Sequence, residues 1–215
     1  MFLPAILRKT STRFLNYLFN RYILELGMGK MKVEKTPIDG LLIIHPDVFN
    51  DERGYFYESY SLKNHLELGI DLNFVQDNIS QSLKGVIRGL HYQVGTGAQA
   101  KLCHVLKGTV LDVAVDIRFG SSTFGKYFAL ELSEENHIQL YIPNGFAHGF
   151  SVLSEEAIFY YKCSQYYSKQ DERAILFNDS DLNIDWKVTN PLVSEKDKLA
   201  KRFHNIEKDF IYSVS

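Results

Sequence analysis

From residue 32 onward, short apolar runs alternate with turn residues, and most of the runs are too short for a helix. In "TVLDVAVDIR", a large aliphatic residue stands at every second position. Period two over that length predicts a β-strand. Lys107-Gly108, directly before it, predicts the turn of a β-hairpin. The other predicted strands lie in "GLLIIHPDVF", "GYFYESYS", "FVQDNISQS", "GVIRGLHYQ", "AKLCHVL", "GKYFALELS", "IQLYIPNGFAHGFSVLS" and "AIFYYKCSQYY".

Helical patterns are rare in the same region. "SLKNHLELGI", residues 61–70, and "SEKDKLAKRFHNI" near the end are the two candidates. Many strands without a βαβ alternation predict an all-β fold, an antiparallel double-sheet sandwich or jelly roll with a few short helices. We expect a single domain over residues 31–215, since the length suits one core.

The first thirty residues have a different pattern. "FLPAILRKTSTRFLNYLFNRYILELG" carries apolar residues at helical spacing and several arginines. One interpretation is an amphipathic helix at a surface or membrane interface. The other, which we favour, is an amino-terminal extension before a domain that begins near Met31. Charges interrupt the segment too often for a transmembrane helix, and any membrane contact is expected only here.

Composition, net charge and the placement of the cysteines indicate the general class of protein. The net charge of -2 and the lack of a basic block argue against nucleic-acid binding. Hydrophobic content of 45% is typical of globular proteins. Cys103 and Cys163 lie inside apolar runs, which predicts reduced core thiols and a cytoplasmic protein.

One segment, "PNGFAHGF" at residues 143–150, resembles the second signature of the cupin superfamily, which is built on jelly rolls. Metal-binding cupins also use an earlier His-x-His, but here that position reads "HYQ", from His91 to Gln93. Lys101 on the next strand would oppose a divalent ion. His104 has the opposite strand parity to Lys101 and would face away from it. We therefore predict no metal.

A series of motifs in one order extends the comparison. "DERGYFYES", "FVQDNIS", "GVIRGLHYQ", "KLCHVLKGTVLDVAVDIR", "IPNGFAHGF", "FYYKCSQYYS" and "SEKD" together resemble the dTDP-4-dehydrorhamnose 3,5-epimerase family, over about residues 33–200. The resemblance implies a cofactor-independent isomerase and a homodimer. Its substrate would be a dTDP-linked 4-keto-6-deoxy sugar, whose C3 and C5 are inverted.

Such a reaction needs a base, a cation at the ketone oxygen and an acid on the opposite face of the sugar. By resemblance, His91 is the base, Asp197 holds its ring, Lys101 is the cation, and Tyr161 is the acid. Tyr160 is the alternative acid, and only the family register favours Tyr161.

The resemblance also assigns an inner pair and a set of binding residues. His148 would pair with Asp112, although Asp116 lies on the same strand face and could share that role. The residues expected to bind substrate are Arg53, Phe56, Glu58, Gln76, Asn78, Arg88, Lys101, His148, Glu172 and Lys196.

Arg88 and His91 are three positions apart, and residues three apart on a regular strand point to opposite faces. Both can reach one ligand, Arg88 at the diphosphate and His91 at the sugar, only if the strand is irregular between them. Gly89 is the natural place for that irregularity. We predict a broken ladder there.

Three other functions remain open at this point. The first is a mono-epimerase or a ketoisomerase acting on a related dTDP-4-keto sugar. The second is a non-catalytic jelly roll that binds sugar nucleotides. The third, disfavoured by Lys101, is a metal-dependent cupin oxygenase.

Overall fold

Two antiparallel sheets face each other in the computed structural model, which describes residues 31–213. The first sheet has the strand order β1-β2-β10-β7-β12-β5, and the second has the order β13-β6-β11-β8-β9, with β14 alongside β6. A separate two-stranded hairpin is formed by β3 and β4. The strands are β1 (Lys32–Lys35), β2 (Leu42–His45), β3 (Phe49–Asp51), β4 (Gly54–Phe56), β5 (Gln76–Leu83), β6 (Val86–Gln93), β7 (Lys101–Lys107), β8 (Thr109–Asp116), β9 (Tyr127–Ser133), β10 (Gln139–Ile142), β11 (Phe146–Val152), β12 (Glu156–Cys163), β13 (Glu172–Ala174) and β14 (Leu192–Val193).

This arrangement confirms the predicted antiparallel double-sheet jelly roll. Consecutive strands repeatedly change sheet, as from β5 to β6 and from β11 to β12. That pattern of long-range pairing is typical of jelly rolls, in which neighbours in the sheet are distant in sequence.

The hairpin predicted at Lys107-Gly108 is wrong. A turn does form there, with Gly108 at φ +76°, but it carries the chain from β7 in the first sheet to β8 in the second. A Cβ at Gly108 would lie 2.1 Å from the carbonyl oxygen of Glu156. The connection is thus packed tightly against the next crossover, and β8 pairs with β9 and β11 instead of β7.

Strand β8 is buried on both faces. Val110 and Ala114 contribute to the core between the sheets, whereas Val113 and Val115 belong to a second core on the outer side of their sheet. The carboxyl-terminal segment after β13 covers that second core, with Ile175, Leu182 and Trp186 among its buried members. The face that carries Asp112 therefore points into the sandwich.

Both predicted helices are present but short. Helix α1 (Leu62–Glu67) begins after Ser61, whose hydroxyl accepts a hydrogen bond from the backbone N–H of Asn64. Helix α2 (Glu195–Lys198) covers only the start of the second candidate, and a separate 3₁₀ turn follows at Phe203–Asn205.

Strand β6 is irregular where the sequence predicted a break. Its pairing with β11 runs through His91–His148 and Arg88–Phe150, with a register shift between the two pairs. Gly89 has φ +131°, and a Cβ there would lie 2.5 Å from Cα of Gly149. The predicted broken ladder is confirmed, and only glycine fits this close approach.

Residues 1–30, including the predicted amphipathic segment, lie outside the described residues. Among residues 31–213, the chain contains no helix of the length and hydropathy that a membrane span requires.

Candidate active site

A cleft with two lobes opens between the sheets. The amide lobe has a volume of about 420 Å³ and is lined in part by Gln76, Gln93 and Gln99. The arginine lobe has a volume of about 590 Å³ and is lined in part by Arg88 and Lys196. Five residues line both lobes and mark their junction: Asn78, His91, Lys101, His148 and Tyr161.

At this junction, His91 of β6 contacts a buried carboxylate. Its Nε2 lies 2.6 Å from Oδ1 of Asp197, which is 3% exposed, while the His91 side chain is 32% exposed. The second carboxylate oxygen accepts the backbone N–H of Gly89 at 3.4 Å. Burial opposes ionisation of Asp197, but the hydrogen bond and charge of His91 outweigh it and hold the pKa of Asp197 below its usual value.

Asp197 reaches this position because Ser194 starts helix α2. The Ser194 hydroxyl accepts the backbone N–H of Asp197 at 3.2 Å and so caps the helix. Strand β14 runs parallel to β6 just before this cap. The helix cap at Ser194 and the pairing of β14 with β6 together place Asp197, which lies near the carboxyl end of the chain, next to His91.

His148 of β11 forms the second histidine–carboxylate pair, with Asp112 of β8. Nε2 of His148 lies 2.7 Å from Oδ1 of Asp112, and both side chains are buried. Asp116, the alternative partner, instead accepts hydrogen bonds from Arg118 and from the Ser121 and Thr123 hydroxyls. The structure therefore decides in favour of Asp112.

The other nitrogen of His148 faces the lysine. Nζ of Lys101 lies 3.4 Å from Nδ1 of His148. Burial lowers the pKa of His148; Asp112 opposes this shift, and the nearby Lys101 charge adds to it. A neutral imidazole that donates from Nε2 to Asp112 accepts at Nδ1, so the pair orients the lysine ammonium.

A potential metal cluster overlaps this pair. Cys103, Asp112 and His148 are the group of three potential ligands found among residues 31–213, with ligand atoms within 4.8 Å of one another. The 2.7 Å separation of His148 and Asp112 is a hydrogen-bond distance, and Lys101 adds a positive charge nearby. Burial raises the pKa of the Cys103 thiol well above its usual value, so the thiol stays protonated. The geometry suits a shared proton better than a metal ion, and the expected absence of a metal stays a prediction.

Tyr161 lies on β12, in the sheet opposite His91. Its ring is 5.6 Å from Nζ of Lys101, measured to the ring centroid. Burial raises the pKa of Tyr161 to about 12, so the phenol is protonated at neutral pH.

The rival, Tyr160, points to the other side of the sheet. Its hydroxyl accepts a hydrogen bond from Nζ of Lys162 at 3.0 Å, and its ring packs 4.8 Å from that of His104, measured between centroids. His104 is buried there and does not line the cleft, as its strand parity predicted. Strand parity thus separates Tyr161 from Tyr160 and Lys101 from His104.

Seven of the ten predicted binding residues line the cleft: Lys101 and His148 at the junction, and also Gln76, Asn78, Arg88, Glu172 and Lys196. The Glu172 and Lys196 side chains form an ion pair at 2.5 Å between the two lobes. Burial opposes ionisation of Glu172, but hydrogen bonds from Lys196 and Tyr167 hold its pKa below the usual value. Nε of Arg88 donates to the Ser82 hydroxyl at 3.0 Å and Nη2 to the carbonyl oxygen of Gln81 at 3.4 Å, and the residue as a whole is exposed.

Arg53, Phe56 and Glu58 do not line the cleft of their own chain. Arg53 and Phe56 lie on the exposed β3–β4 hairpin, where Arg53 pairs with Asp51 and Phe56 is 69% exposed. Glu58 follows the hairpin and accepts a hydrogen bond from Asn64 of helix α1. Their predicted roles in binding the nucleotide stay predictions, and the described chain does not bring these three residues to the other binding residues.

Several residues of the cleft wall are not among the predicted site residues. Gln93, Gln99, Tyr167 and Phe210 line the amide lobe. Gln93 has the same strand parity as His91, so period two could have identified it. Phe210 stands far from every motif, in a segment without periodicity, and nothing in the local pattern indicated its position.

A jelly roll whose cleft holds two histidine–carboxylate pairs, a lysine and a protonated tyrosine defines a cupin-type protein equipped for acid–base chemistry. Comparisons with known proteins narrow this class. The family model for dTDP-4-dehydrorhamnose 3,5-epimerase matches residues 35–205. The chain belongs to the dTDP-4-dehydrorhamnose 3,5-epimerase family, so the predicted family and the isomerase class are confirmed.

Individual relatives agree with the family model. The dTDP-4-dehydrorhamnose 3,5-epimerase of Shigella flexneri is 55% identical over 174 residues, which cover 80% of this chain and 96% of that protein. The crystal structure of the Elizabethkingia anophelis enzyme is 55% identical, with a TM-score of 0.78 over 84% of this chain and 99% of that one. A Legionella pneumophila epimerase, solved in complex with dTDP-4-keto-L-rhamnose, is 49% identical, with a TM-score of 0.82 over 86% of this chain and 100% of that one.

Proposed function

We propose that the protein is a cofactor-independent epimerase that inverts C3 and C5 of dTDP-4-keto-6-deoxyglucose and so produces dTDP-4-keto-L-rhamnose. One observation carries the proposal. His91 and Tyr161 project from opposite sheets into one junction, with Lys101 beside them. A sugar ring held between the sheets would have a base on one face and an acid on the other.

In the proposed reaction, His91 removes the proton from the carbon next to the ketone. Its Asp197 partner keeps the ring oriented and stabilises the imidazolium that forms. The electron pair moves to the C4 oxygen as an enolate. The Lys101 ammonium, oriented by His148, stabilises that negative charge.

Tyr161 then returns a proton to the opposite face of the same carbon. Its pKa of about 12 keeps the phenol protonated until the enolate is present. Solvent then takes the proton from His91 and returns one to Tyr161, after which repetition at the second carbon completes the double inversion. The transient tyrosinate is attracted by Lys101, whose Nζ lies 5.6 Å from the ring centroid.

Arg88 and Lys196 support the assignment of the diphosphate to the arginine lobe. Both are cations that line this lobe, and a guanidinium provides paired donors for phosphate oxygens. Lys196 also contacts Glu172, so phosphate binding would compete with that ion pair.

The decisive experiment is solvent exchange. The protein is incubated with the 4-keto-6-deoxy nucleotide sugar in D₂O, and proton exchange is followed by NMR. Deuterium at both C3 and C5 with inverted product supports double epimerisation. Deuterium at one carbon indicates a mono-epimerase, and an absence of exchange with retained binding indicates a non-catalytic protein. Loss of activity after treatment with a chelator would contradict cofactor independence.

We also propose a homodimer in which the β3–β4 hairpin of one chain completes the cleft of the other. Arg53 and Phe56 are exposed on that hairpin and do not line their own cleft. If they bind the nucleotide, as the family resemblance implies, a second copy must supply them.

A mixing experiment tests this arrangement. Arg53→Ala and His91→Asn chains are each expected to be impaired, and co-expression should restore about a quarter of the sites, since half of the dimers are mixed and each has one intact site. Sedimentation analysis should give a dimer. A monomer, or mixtures no more active than the separate variants, would contradict the proposal.

We further propose that residues 31–215 form the complete catalytic domain and that residues 1–30 are a dispensable extension. The family match from residue 35 supports this division. A chain without residues 1–30 should fold and keep its turnover. Loss of folding or activity would contradict the proposal, and the predicted cytoplasmic location stays a prediction.

A further inference from the structure

Phe210 lines the amide lobe together with Ile142 and Phe146. The family model ends its match at residue 205, so Phe210 lies in a segment that the family pattern does not describe. The ring packs close to the turn before β11, since a Cβ on Gly145 would lie 3.6 Å from Cγ of Phe210. It also makes an edge contact with Tyr92, with a centroid separation of 6.4 Å.

The segment around Phe210 is firmly attached to the sandwich. The carbonyl oxygen of Phe210 accepts a hydrogen bond from the backbone N–H of Phe119 at 2.8 Å. The backbone N–H of Tyr212 donates to the carbonyl oxygen of Phe119, also at 2.8 Å. The Tyr212 ring lies 5.0 Å from the Arg118 guanidinium carbon, and its hydroxyl donates to Asp39 at 3.2 Å. Phe210 is thus held in place as part of the wall.

The two lobes differ in chemistry, which indicates how a sugar nucleotide lies in the cleft. Among the described residues that line the amide lobe, Lys101 is the only lysine or arginine, and Glu172 adds a carboxylate. The arginine lobe adds the cations Arg88 and Lys196, and its carboxylate, Asp197, is paired with His91. The diphosphate therefore favours the arginine lobe, and the hexose extends from the junction into the amide lobe, whose amides suit sugar hydroxyls.

The lining of the amide lobe also includes three apolar side chains, Ile142, Phe146 and Phe210, and Phe210 packs beside Gly145, the residue before Phe146. A hexose has few apolar groups, but a 6-deoxy sugar has a methyl group at C6. Burial of a methyl group against apolar side chains stabilises binding, whereas a hydroxyl directed at the same side chains would be less favourable because they offer it no hydrogen bond.

We propose that Phe210, with Ile142 and Phe146, forms the subsite for the C6 methyl group and selects 6-deoxy over 6-hydroxy sugars. The inference rests on the proposed function for its substrate class. The methyl group is attached to C5, one of the two carbons that the proposed reaction inverts. We therefore expect Phe210 to affect the rate of inversion at C5 more than the rate at C3.

Binding provides the first test, because it is independent of turnover. Calorimetry compares dTDP-glucose with dTDP-6-deoxyglucose on the full-length protein. We expect the wild type to bind the 6-deoxy compound about tenfold more tightly, which is within the range that an apolar pocket achieves. Phe210→Ala should remove most of that preference, and Phe210→Leu should keep much of it because it retains an apolar side chain. Equal affinities in the wild type, or a preference that survives in Phe210→Ala, would overturn the proposal.

The exchange reaction provides the second test. In Phe210→Ala, we expect the rate of deuterium exchange at C5 to fall about tenfold relative to that at C3. An equal loss at both carbons, with the binding preference unchanged, would indicate a purely structural role and would overturn the proposal. If the wild type shows no exchange at all, the proposed function fails, and the binding comparison still decides the subsite.

Ile211→Ala is the matched control. Ile211 is the next residue in the same segment, is 70% exposed and does not line the cleft. Its truncation should leave both the preference and the exchange ratio at wild-type values. Thermal unfolding of all three variants separates a local effect from loss of the fold.

Discussion

Oδ1 of Asp197 lies 2.6 Å from Nε2 of His91, although 106 positions separate the two residues in the sequence. The carboxylate is buried while the imidazole reaches the cleft. An ionised carboxylate in this position fixes the ring orientation and stabilises the protonated form of the histidine. His91, the proposed base, is therefore already oriented by Asp197 before substrate binds.

We expect Asp197→Asn to reduce turnover by about 10²- to 10⁴-fold, in the range of a lost general base. An amide can donate as well as accept, and it carries no charge to stabilise the imidazolium. The measurement is kcat from product formation by NMR, with dTDP affinity expected to stay near the wild-type value. Asp185→Asn is the control, because Asp185 forms an exposed ion pair with Lys187. A matching loss of dTDP affinity would contradict the division of roles.

Lys101→Gln should reduce exchange at both C3 and C5 by about 10²- to 10³-fold, as expected for a lost donor to a developing oxyanion. Lys107→Gln is the control, since Lys107 lies at the exposed end of the same strand and pairs with Glu156. Single-turnover exchange in D₂O measures the effect. Near-normal exchange in Lys101→Gln would show that the enolate does not depend on this ammonium.

Substitutions of the adjacent residues Tyr160 and Tyr161 test which of the two is the general acid. Tyr161→Phe should still exchange deuterium through His91, but inverted product should fall by at least about 100-fold, because the phenol is the proton donor on the opposite face. Tyr160→Phe should resemble the wild type, since Tyr160 points to the other side of the sheet. NMR of both exchange and product distinguishes the two outcomes. Wild-type inversion in Tyr161→Phe would rule it out as the acid.

Acid stability is expected to depend on His104. Burial and the nearby Lys162 charge lower the pKa of this histidine to about 4. A folded-state pKa below the unfolded value means that the unfolded chain binds more protons. The resulting stability is fully present above about pH 6.5 and is lost as the pH falls toward 4.

The measurement is the free energy of unfolding by denaturant between pH 4 and pH 7. In His104→Phe, the loss of unfolding free energy between pH 7 and pH 4 should be smaller than in the wild type by up to about 3 kcal/mol, on the basis of 1.36 kcal/mol per pKa unit. His204→Phe, at an exposed position, should leave the dependence unchanged. Identical slopes in the wild type and His104→Phe would refute the assignment. His65 and His148, whose pKa values burial also lowers, add to the same trend.

Gly89→Ala should destabilise the protein by several kcal/mol and displace His91. A Cβ there would lie 2.5 Å from Cα of Gly149 and 2.9 Å from the carbonyl oxygen of His148, at φ +131°. Gly69→Ala is the control: Gly69 also has positive φ, but a Cβ there meets nothing within 4 Å. It should cost only about 1 kcal/mol. Thermal unfolding compares the two variants, and equal losses would show that the close approach is unimportant.

The strand pattern was readable from the sequence because its period is local. Alternation along β8 and the parity argument for Lys101 and His104 both held in the structure. The break at Gly89 followed from the need to bring Arg88 and His91 to one ligand. By contrast, the Lys107-Gly108 pattern predicts a turn but not its partner strand, since a local turn signal is the same whether the next strand joins the same sheet or the opposite one.

The site was readable only in part. Family motifs indicated His91, Tyr161 and Asp197, but the choice of Asp112 over Asp116 needed the positions of Arg118, Ser121 and Thr123. The location of Arg53 away from its own cleft was also unexpected, because motif order carries no information about which chain supplies a residue. Phe210 lacked any local signal.

Taken alone, the sequence determined the strands, their parity and the family, because these depend on the order of side chains along a short stretch of backbone. Only the tertiary structure decided which strands share a sheet, which carboxylate meets which histidine and what closes the amide lobe. Those outcomes depend on burial and hydrogen bonding between segments that are distant in sequence, and such energies are set when the two sheets pack.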